Sequence, residues 1–252
     1  MQSFFVIDLT KWKRWAFIAC FVILATTFLW MERESALSMF QEDEPVALTR
    51  GDKDNEAIAL TFNISWGNEK VHDILEQLKK HEVHATFFVS GEWAERHPDI
   101  LEKITEEKHE LGMLGYRYKS YVDQELEQVQ KDLQYAKEVF NKLGYEDMRL
   151  LRTPSGHFNK EIIKLAESLN FQIIHWNINP NDWKNPGVNV IAQDTIEKTS
   201  NGDILLLHAS DAAKQTAEAL DIMLPALKKK DFQFISISEM IHQTESNLKS
   251  VD

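Results

Sequence analysis

The sequence predicts an α/β fold, a (β/α)7 barrel of parallel strands with helices outside, behind an N-terminal transmembrane helix. Three observations carry that expectation. Seven apolar, β-prone runs recur at wide spacing, with helix-period segments between them. A long uncharged apolar run sits near the amino terminus with basic residues in front of it. The 252 residues are 43% hydrophobic and 10% aromatic, enough for one well-cored domain plus an appendage.

Residues 1–14 form a basic segment with Lys11, Lys13 and Arg14, which the positive-inside rule keeps cytoplasmic. Residues 15–31 (WAFIACFVILATTFLWM) are an uncharged run of 17 residues. That is the short end of what crosses a hydrocarbon core of about 30 Å. Trp12, Trp15 and Trp30 stand at its two ends, where indoles favour the interface. The run has no polar face, which separates it from a buried core helix. A cleaved signal peptide is the competing reading. Against it, Glu32, Arg33 and Glu34 follow at once, and Ala36-Leu37-Ser38 is a poor cleavage site. The expected location is the cell membrane, single-pass, with the domain on the extracytoplasmic side. Residues 32–54 are charged and without sustained period, a linker that lifts the domain off the membrane. Residues 55–243 form the domain and 244–252 a tail.

Within the domain the expected strands are Ala57–Asn63, Ala85–Ser90, Glu110–Leu114, Met148–Arg152, Phe171–Trp176, Asp203–His208 and Phe232–Ser236. Six helical segments lie between them. Val71, Ile74, Leu75 and Leu78 mark the first, and Leu126, Val129, Leu133, Ala136, Val139 and Phe140 the clearest stripe. Strand–helix alternation of this kind makes a parallel sheet, and a closed or nearly closed barrel puts its active site at the carboxyl ends of the strands. Those ends hold polar residues and Trp, as a glycan-binding cleft would.

Composition excludes several classes. Net charge is −12, which disfavours nucleic acid as a partner because that binding runs on Lys and Arg. The one cysteine, Cys20, lies inside the apolar run, so an internal disulfide, a Cys-based zinc cage and a thiol centre are ruled out.

The segments ALTFNISWG (59–67), ATFFVSGEWAERHPD (85–99), HELGMLGYRYKSY (109–121), LLRTPSGHFNK (150–160), NPNDWKNPG (179–187) and GDILLLHASD (202–211), in that order, resemble the NodB-homology polysaccharide deacetylases. The nearest likeness is to their PdaB-type sporulation branch. The resemblance implies a distorted (β/α)7 barrel, a peptidoglycan or related amino-sugar glycan as partner, and a spore-envelope location. It also implies metal-assisted removal of acetyl from N-acetylated sugars. By that resemblance, Asn63 occupies the place of the catalytic base, and Ile64, Leu114 and Tyr118 the places of the metal ligands. Neither a metal nor another cofactor is therefore expected. Arg152 would orient the base, with Asp182 bracing the arginine, and His208 would be the acid. Pro154, Ser155 and Gly156 belong to the oxyanion segment, with Ser155 where an aromatic is usual. Trp183 and Leu206 would wall the pocket, and Trp66 would offer an indole to a sugar, as would Trp93.

Other histidines are weighed against ordinary structural roles. His81 and His84 bridge a helix end and a strand start, so their rings should diverge. His97-Pro98 closes a short helix, and His157 is the candidate to share a site with His208. Three functional readings follow. The first is a membrane-bound deacetylase-family protein, weakly active or inactive as a metal-dependent N-deacetylase. The second is a non-catalytic glycan-binding or interaction module. The third is a metal-independent hydrolase using Asp182 and His208.

Overall fold

The structure is a computed structural model that describes residues 46–249 and Thr26. The expected span at 15–31 lies outside the described residues except for Thr26. Among the described residues, no helix is long and apolar enough to cross a membrane.

Seven parallel strands form the centre: β1 (Ala57–Ile64), β2 (Thr86–Val89), β3 (Glu110–Met113), β4 (Leu150–Leu151), β5 (Gln172–Ile173), β6 (Ile204–His208) and β7 (Gln233–Phe234). Each falls inside an expected run, except that β1 extends one residue further, to Ile64. The strand order is β5-β4-β3-β2-β1-β6, with β7 paired to the first residues of β1. The described helices are α1 (Lys70–Lys80), α2 (Gly91–Arg96), α3 (Pro98–Glu106), α4 (Leu126–Lys142), α5 (Lys160–Ser168), α6 (Val188–Lys198), α7 (Thr216–Lys229) and α8 (Ile237–Lys249). The result is a parallel α/β half-barrel, consistent with a distorted (β/α)7 barrel.

Strand β1 shows how the layers arise. All eight of its residues are buried, as a central parallel strand requires. Ile58, Leu60, Phe62 and Ile64 pack against the helices, together with Val71, Ile74, Leu75 and Leu78 of α1. On the opposite face Ala59 joins Phe88, Leu114, Leu150, Ile174 and Ile204 in a second, smaller cluster. Period-two alternation therefore places Ala59, Thr61 and Asn63 in one inward row that ends at the carboxyl edge.

Helix boundaries follow local chemistry. Asn159 caps α5 by accepting from the Ile162 N–H at 3.0 Å. Pro98 opens α3 at its first turn, which splits α2 from α3 at His97. Two helices are capped from other elements. The Asp211 carboxylate, beyond β6, accepts from the N–H groups of Glu69 and Lys70 at 2.8 and 2.9 Å at the start of α1. Glu110 of β3 accepts from Ile237 N–H at 2.9 Å at the start of α8. That last helix runs through Lys249, past the residue 243 at which the sequence ends the domain.

The segment just before β1 also departs from expectation. β5 and β6 stand at the two ends of the strand order, and residues 48–51 run between them. Leu48 N–H donates to Ile173 O at 2.9 Å, and His175 N–H donates to Leu48 O at 2.8 Å. Gly51 N–H reaches Gly202 O at 2.8 Å, while Arg50 Nε donates to the buried Asp203 at 2.6 Å. The sequence reading places these four residues in the linker because residues 32–54 are charged and carry no sustained period. They are instead part of the barrel, held by partners that lie far along the chain.

Candidate active site

Asn63 and His208 are neighbours across the β1–β6 pair, in register at the carboxyl edge of the sheet. Behind Asn63 lies Arg152, which is fully buried just past β4. Its Nη1 donates to Thr61 Oγ1 at 2.9 Å and to Asn63 Oδ1 at 3.0 Å. Nε and Nη2 donate to the carbonyls of Ile174 and His175 at 3.2 and 3.1 Å. The guanidinium carbon stands 4.0 Å from the Phe88 ring centre and 5.3 Å from that of Trp176. Every one of these acceptors is neutral. Burial accordingly pulls the Arg152 pKa from its ordinary 12.5 to about 9, with the Tyr118 phenol working weakly the other way.

Asp182 does not brace that arginine, which corrects the expectation. The carboxylate, 0% exposed, belongs to His208. Its Oδ1 lies 2.8 Å from His208 Nδ1, and its Oδ2 accepts from the His208 N–H at 2.8 Å and from Thr216 Oγ1 at 2.7 Å. The local sequence explains the placement. Asn181 and Asn185, with φ of 55° and 52°, flank the short turn Asp182–Lys184, and asparagine tolerates that left-handed backbone. The turn swings the acid under the end of β6. With Nδ1–H donating to the carboxylate, Nε2 is the ring nitrogen left for another partner.

The segment Pro154–Gly156, which the resemblance assigns to the oxyanion, holds two residues in the left-handed region. Ser155 has φ of 61° and Gly156 has φ of 78°. A Cβ on Gly156 would come within 2.3 Å of the Trp176 ring, so glycine is required both for its φ and for its space. Pro154 and Gly156 are buried and Ser155 is exposed, its Oγ donating to Pro154 O at 2.5 Å and lying 3.3 Å from His157 Nδ1. His157 thus pairs with Ser155 rather than with His208. Trp66 and Trp183 are 62% and 48% exposed, with Lys184 Nζ at 5.1 Å from the Trp183 ring. Trp93, by contrast, is core, its Nε1 donating to Gly67 O at 2.5 Å. Leu206 is buried beside Thr61 in the β1–β6 register. His81 and His84 do diverge: His81 Nε2 faces Asp221 at 2.7 Å, whereas His84 meets the His109 ring edge-on at 5.9 Å.

The residues present do not fit a resident cation. Ile64 and Leu114 are both fully buried hydrocarbon and lie in different clusters: Ile64 packs with the helix-side core and Leu114 with the inner cluster. Tyr118 is 46% exposed. Among the described residues no three His, Cys, Asp or Glu side chains converge as metal ligands would. Sequence reading missed three contributors: Thr61, Thr216 and Trp176. Thr61 was visible in principle, two residues before Asn63 on the same strand face. Thr216 and Trp176 reach the site by folds of the chain that no spacing records.

An imidazole held by a buried carboxylate at the strand ends of a parallel barrel is hydrolase equipment. The chain belongs to the polysaccharide deacetylase family, whose family model matches residues 50–174. It is 31% identical over 187 residues to a peptidoglycan-N-acetylglucosamine deacetylase of Bacillus cereus, covering 73% of this chain and 87% of that protein. It is 27% identical to the uncharacterized protein YlxY of Bacillus subtilis, covering 80% of this chain and 62% of YlxY. Among solved structures, a CE4 family pseudoenzyme from Bacillus anthracis aligns with a TM-score of 0.73 and 31% identity, over 78% of this chain and 69% of that one. A mutant of a CE4 family pseudoenzyme described as having restored enzymatic activity aligns with the same TM-score of 0.73.

Proposed function

We propose that this is a membrane-anchored family member of the PdaB-like sporulation type, which engages peptidoglycan or spore-cortex glycan in its cleft and is weakly active or inactive as a metal-dependent N-deacetylase. One observation carries the reading: a neutral amide, Asn63, stands against the buried Arg152 where the resemblance places the base, and Asn63 cannot take a proton near neutral pH. Hydrocarbon at Ile64 and Leu114 supports it, since neither offers a lone pair to a cation. The similarity to a B. anthracis protein described as a pseudoenzyme points the same way. Anchoring rests on the run at 15–31 and its basic flank. It places the amino terminus inside and the barrel outside, so protease added to intact protoplasts should degrade residues 48–243.

The exposed indoles of Trp66 and Trp183 favour the second reading, a glycan-binding module that uses the inherited cleft. The test pairs metal analysis of the purified chain with deacetylation assays and calorimetry on N-acetylglucosamine oligomers. The expected result is no stoichiometric zinc, cobalt or nickel, no chelator-sensitive acetate release, and glycan binding that Trp183→Ala weakens by about 1–3 kcal/mol. One tightly held metal with chelator-sensitive turnover would overturn the proposal. Equal binding by parent and variant would remove Trp183 from the site.

A further inference from the structure

Both exposed indoles of the cleft are mounted on one piece of chain, residues 209–214 between β6 and α7. On one side, the Asp211 carboxylate accepts from the successive N–H groups of Asn68, Glu69 and Lys70 at 3.2, 2.8 and 2.9 Å. Ser65 N–H donates to Ser210 Oγ at 3.3 Å, so the backbone is tied before Trp66 as well as after it. Gly67 lies directly on the carboxylate: its φ is 76°, and a Cβ there would come within 2.2 Å of the Asp211 side chain. The Gly67 carbonyl accepts from Nε1 of the core residue Trp93 at 2.5 Å. On the other side, Asn185 Nδ2 donates to Ala212 O at 2.9 Å and to Trp183 O at 3.3 Å. Asn185 Oδ1 in return accepts from Lys214 N–H at 2.8 Å.

Neither indole is held by burial, since Trp66 is 62% and Trp183 48% exposed. What fixes them is the backbone beneath, and a side chain fixed in advance loses less freedom when a ligand arrives. Trp66 stands two residues from Asn68, which bonds Asp211, and Trp183 two residues from Asn185, which bonds Ala212. Two residues of chain span no more than about 7 Å. Both rings therefore sit on the rim around Asn63 and His208: Trp66 follows Asn63 by three residues, and Trp183 follows Asp182, the partner of His208. We propose that Asp211 and Asn185 are positioning residues that hold Trp66 and Trp183 as one platform, which takes two or more sugar rings of a single glycan strand, one against each indole. A sugar ring offers an indole a flat face of C–H groups, and a strand offers such faces in series. The inference rests on the glycan-binding reading of the cleft and adds the length of the ligand and the residues that set it.

The test is calorimetry of the full chain with the monomer and pentamer of N-acetylglucosamine, run as double-mutant cycles. Asp211→Ala is combined with Trp66→Ala, and Asn185→Gly with Trp183→Ala; glycine at 185 removes the bonds and still accepts the φ of 52°. The parent should bind the pentamer at least about tenfold more tightly than the monomer. Each positioning variant should weaken pentamer binding by about fivefold. That loss should shrink below about twofold once the matching tryptophan is alanine, because each residue acts through its own indole. A purely structural role would weaken binding by the same factor whichever indole is present. Nitrogen-15 relaxation of the indole N–H groups reads the positioning without a ligand: Trp66 should loosen in Asp211→Ala and Trp183 in Asn185→Gly. If Asp211→Ala does not fold, Asp211→Asn, which keeps one carbonyl oxygen, carries the cycle. A parent that binds neither sugar would overturn the glycan reading and this proposal with it. Binding that depends on both tryptophans, but is equal for monomer and pentamer or additive in both cycles, would overturn this proposal alone.

Discussion

Changing Asn63 to Asp should stabilise the fold, even though it adds a buried charge. Arg152 is fully buried and hydrogen-bonded to neutral acceptors. Burial lowers its pKa from 12.5 to about 9, so the fold bears a charge cost at every pH below that value. At 1.4 kcal/mol per tenfold, that cost is roughly 5 kcal/mol at pH 7. An Asp oxygen in the place of Asn63 Oδ1 would lie 3.0 Å from Nη1. With charge centres about 4 Å apart and an effective dielectric of about 20, the attraction is about 4 kcal/mol. Desolvating the new carboxylate takes back part of this, leaving a net gain of about 1–3 kcal/mol. For a chain of this size that raises the melting temperature by about 3–10 °C. The new carboxylate would have its folded pKa depressed, so the gain is present above the ordinary Asp value of about 3.9 and is lost as pH falls through the folded value. Urea unfolding of parent and variant at pH 7 and again near pH 2.5 measures both parts. Equal midpoints at pH 7, or a gain that survives acid, would refute the reasoning.

Three further outcomes are expected. Asp182→Asn should cost about 2–4 kcal/mol, because it disturbs three hydrogen bonds to a fully buried carboxylate. It should also change the His208 ring-nitrogen spectrum, and an unaltered His208 tautomer would contradict the assignment. For His109, the folded pKa of about 4 lies below the ordinary 6.5, so stability is full above pH 6.5 and falls as pH drops toward 4. The loss is about 3 kcal/mol, and His109→Phe should flatten unfolding free energy across that window; an unchanged slope would refute it. Gly156→Ala should destabilise by about 1–3 kcal/mol through its left-handed backbone and the Trp176 ring, and a neutral result in urea would show that the ring can move.

The strands were readable because each is a short apolar run bounded by polar segments, as β1 and β6 show. The amphipathic helices were readable by period, and α4 buries Val129, Leu133, Ala136, Val139 and Phe140 as expected, although Leu126 at its start is 42% exposed. At the site, spacing and resemblance brought Asn63, Arg152, Asp182 and His208 to the same edge, but they paired Asp182 with the wrong cation. Resemblance gives positions along the chain, whereas the partner of Asp182 is decided by two left-handed asparagines that aim the turn at β6. Arg50 was illegible for a related reason: its charge matters only because Asp203 is buried opposite it.

The strip at residues 48–51 has a consequence for the order of synthesis. Arg50 leaves the ribosome before any barrel strand, yet its partner Asp203 follows 153 residues later. The first part of the domain to be made is thus among the last to be fixed, and contacts of such separation close slowly. Nascent chains arrested before residue 203 should remain open to protease at residues 48–51, and chains that extend beyond it should become resistant there. Early resistance would show that the strip finds another partner first. A domain expressed from residue 55, the start that composition suggests, would lack the strip altogether and leave the Asp203 carboxylate without its arginine.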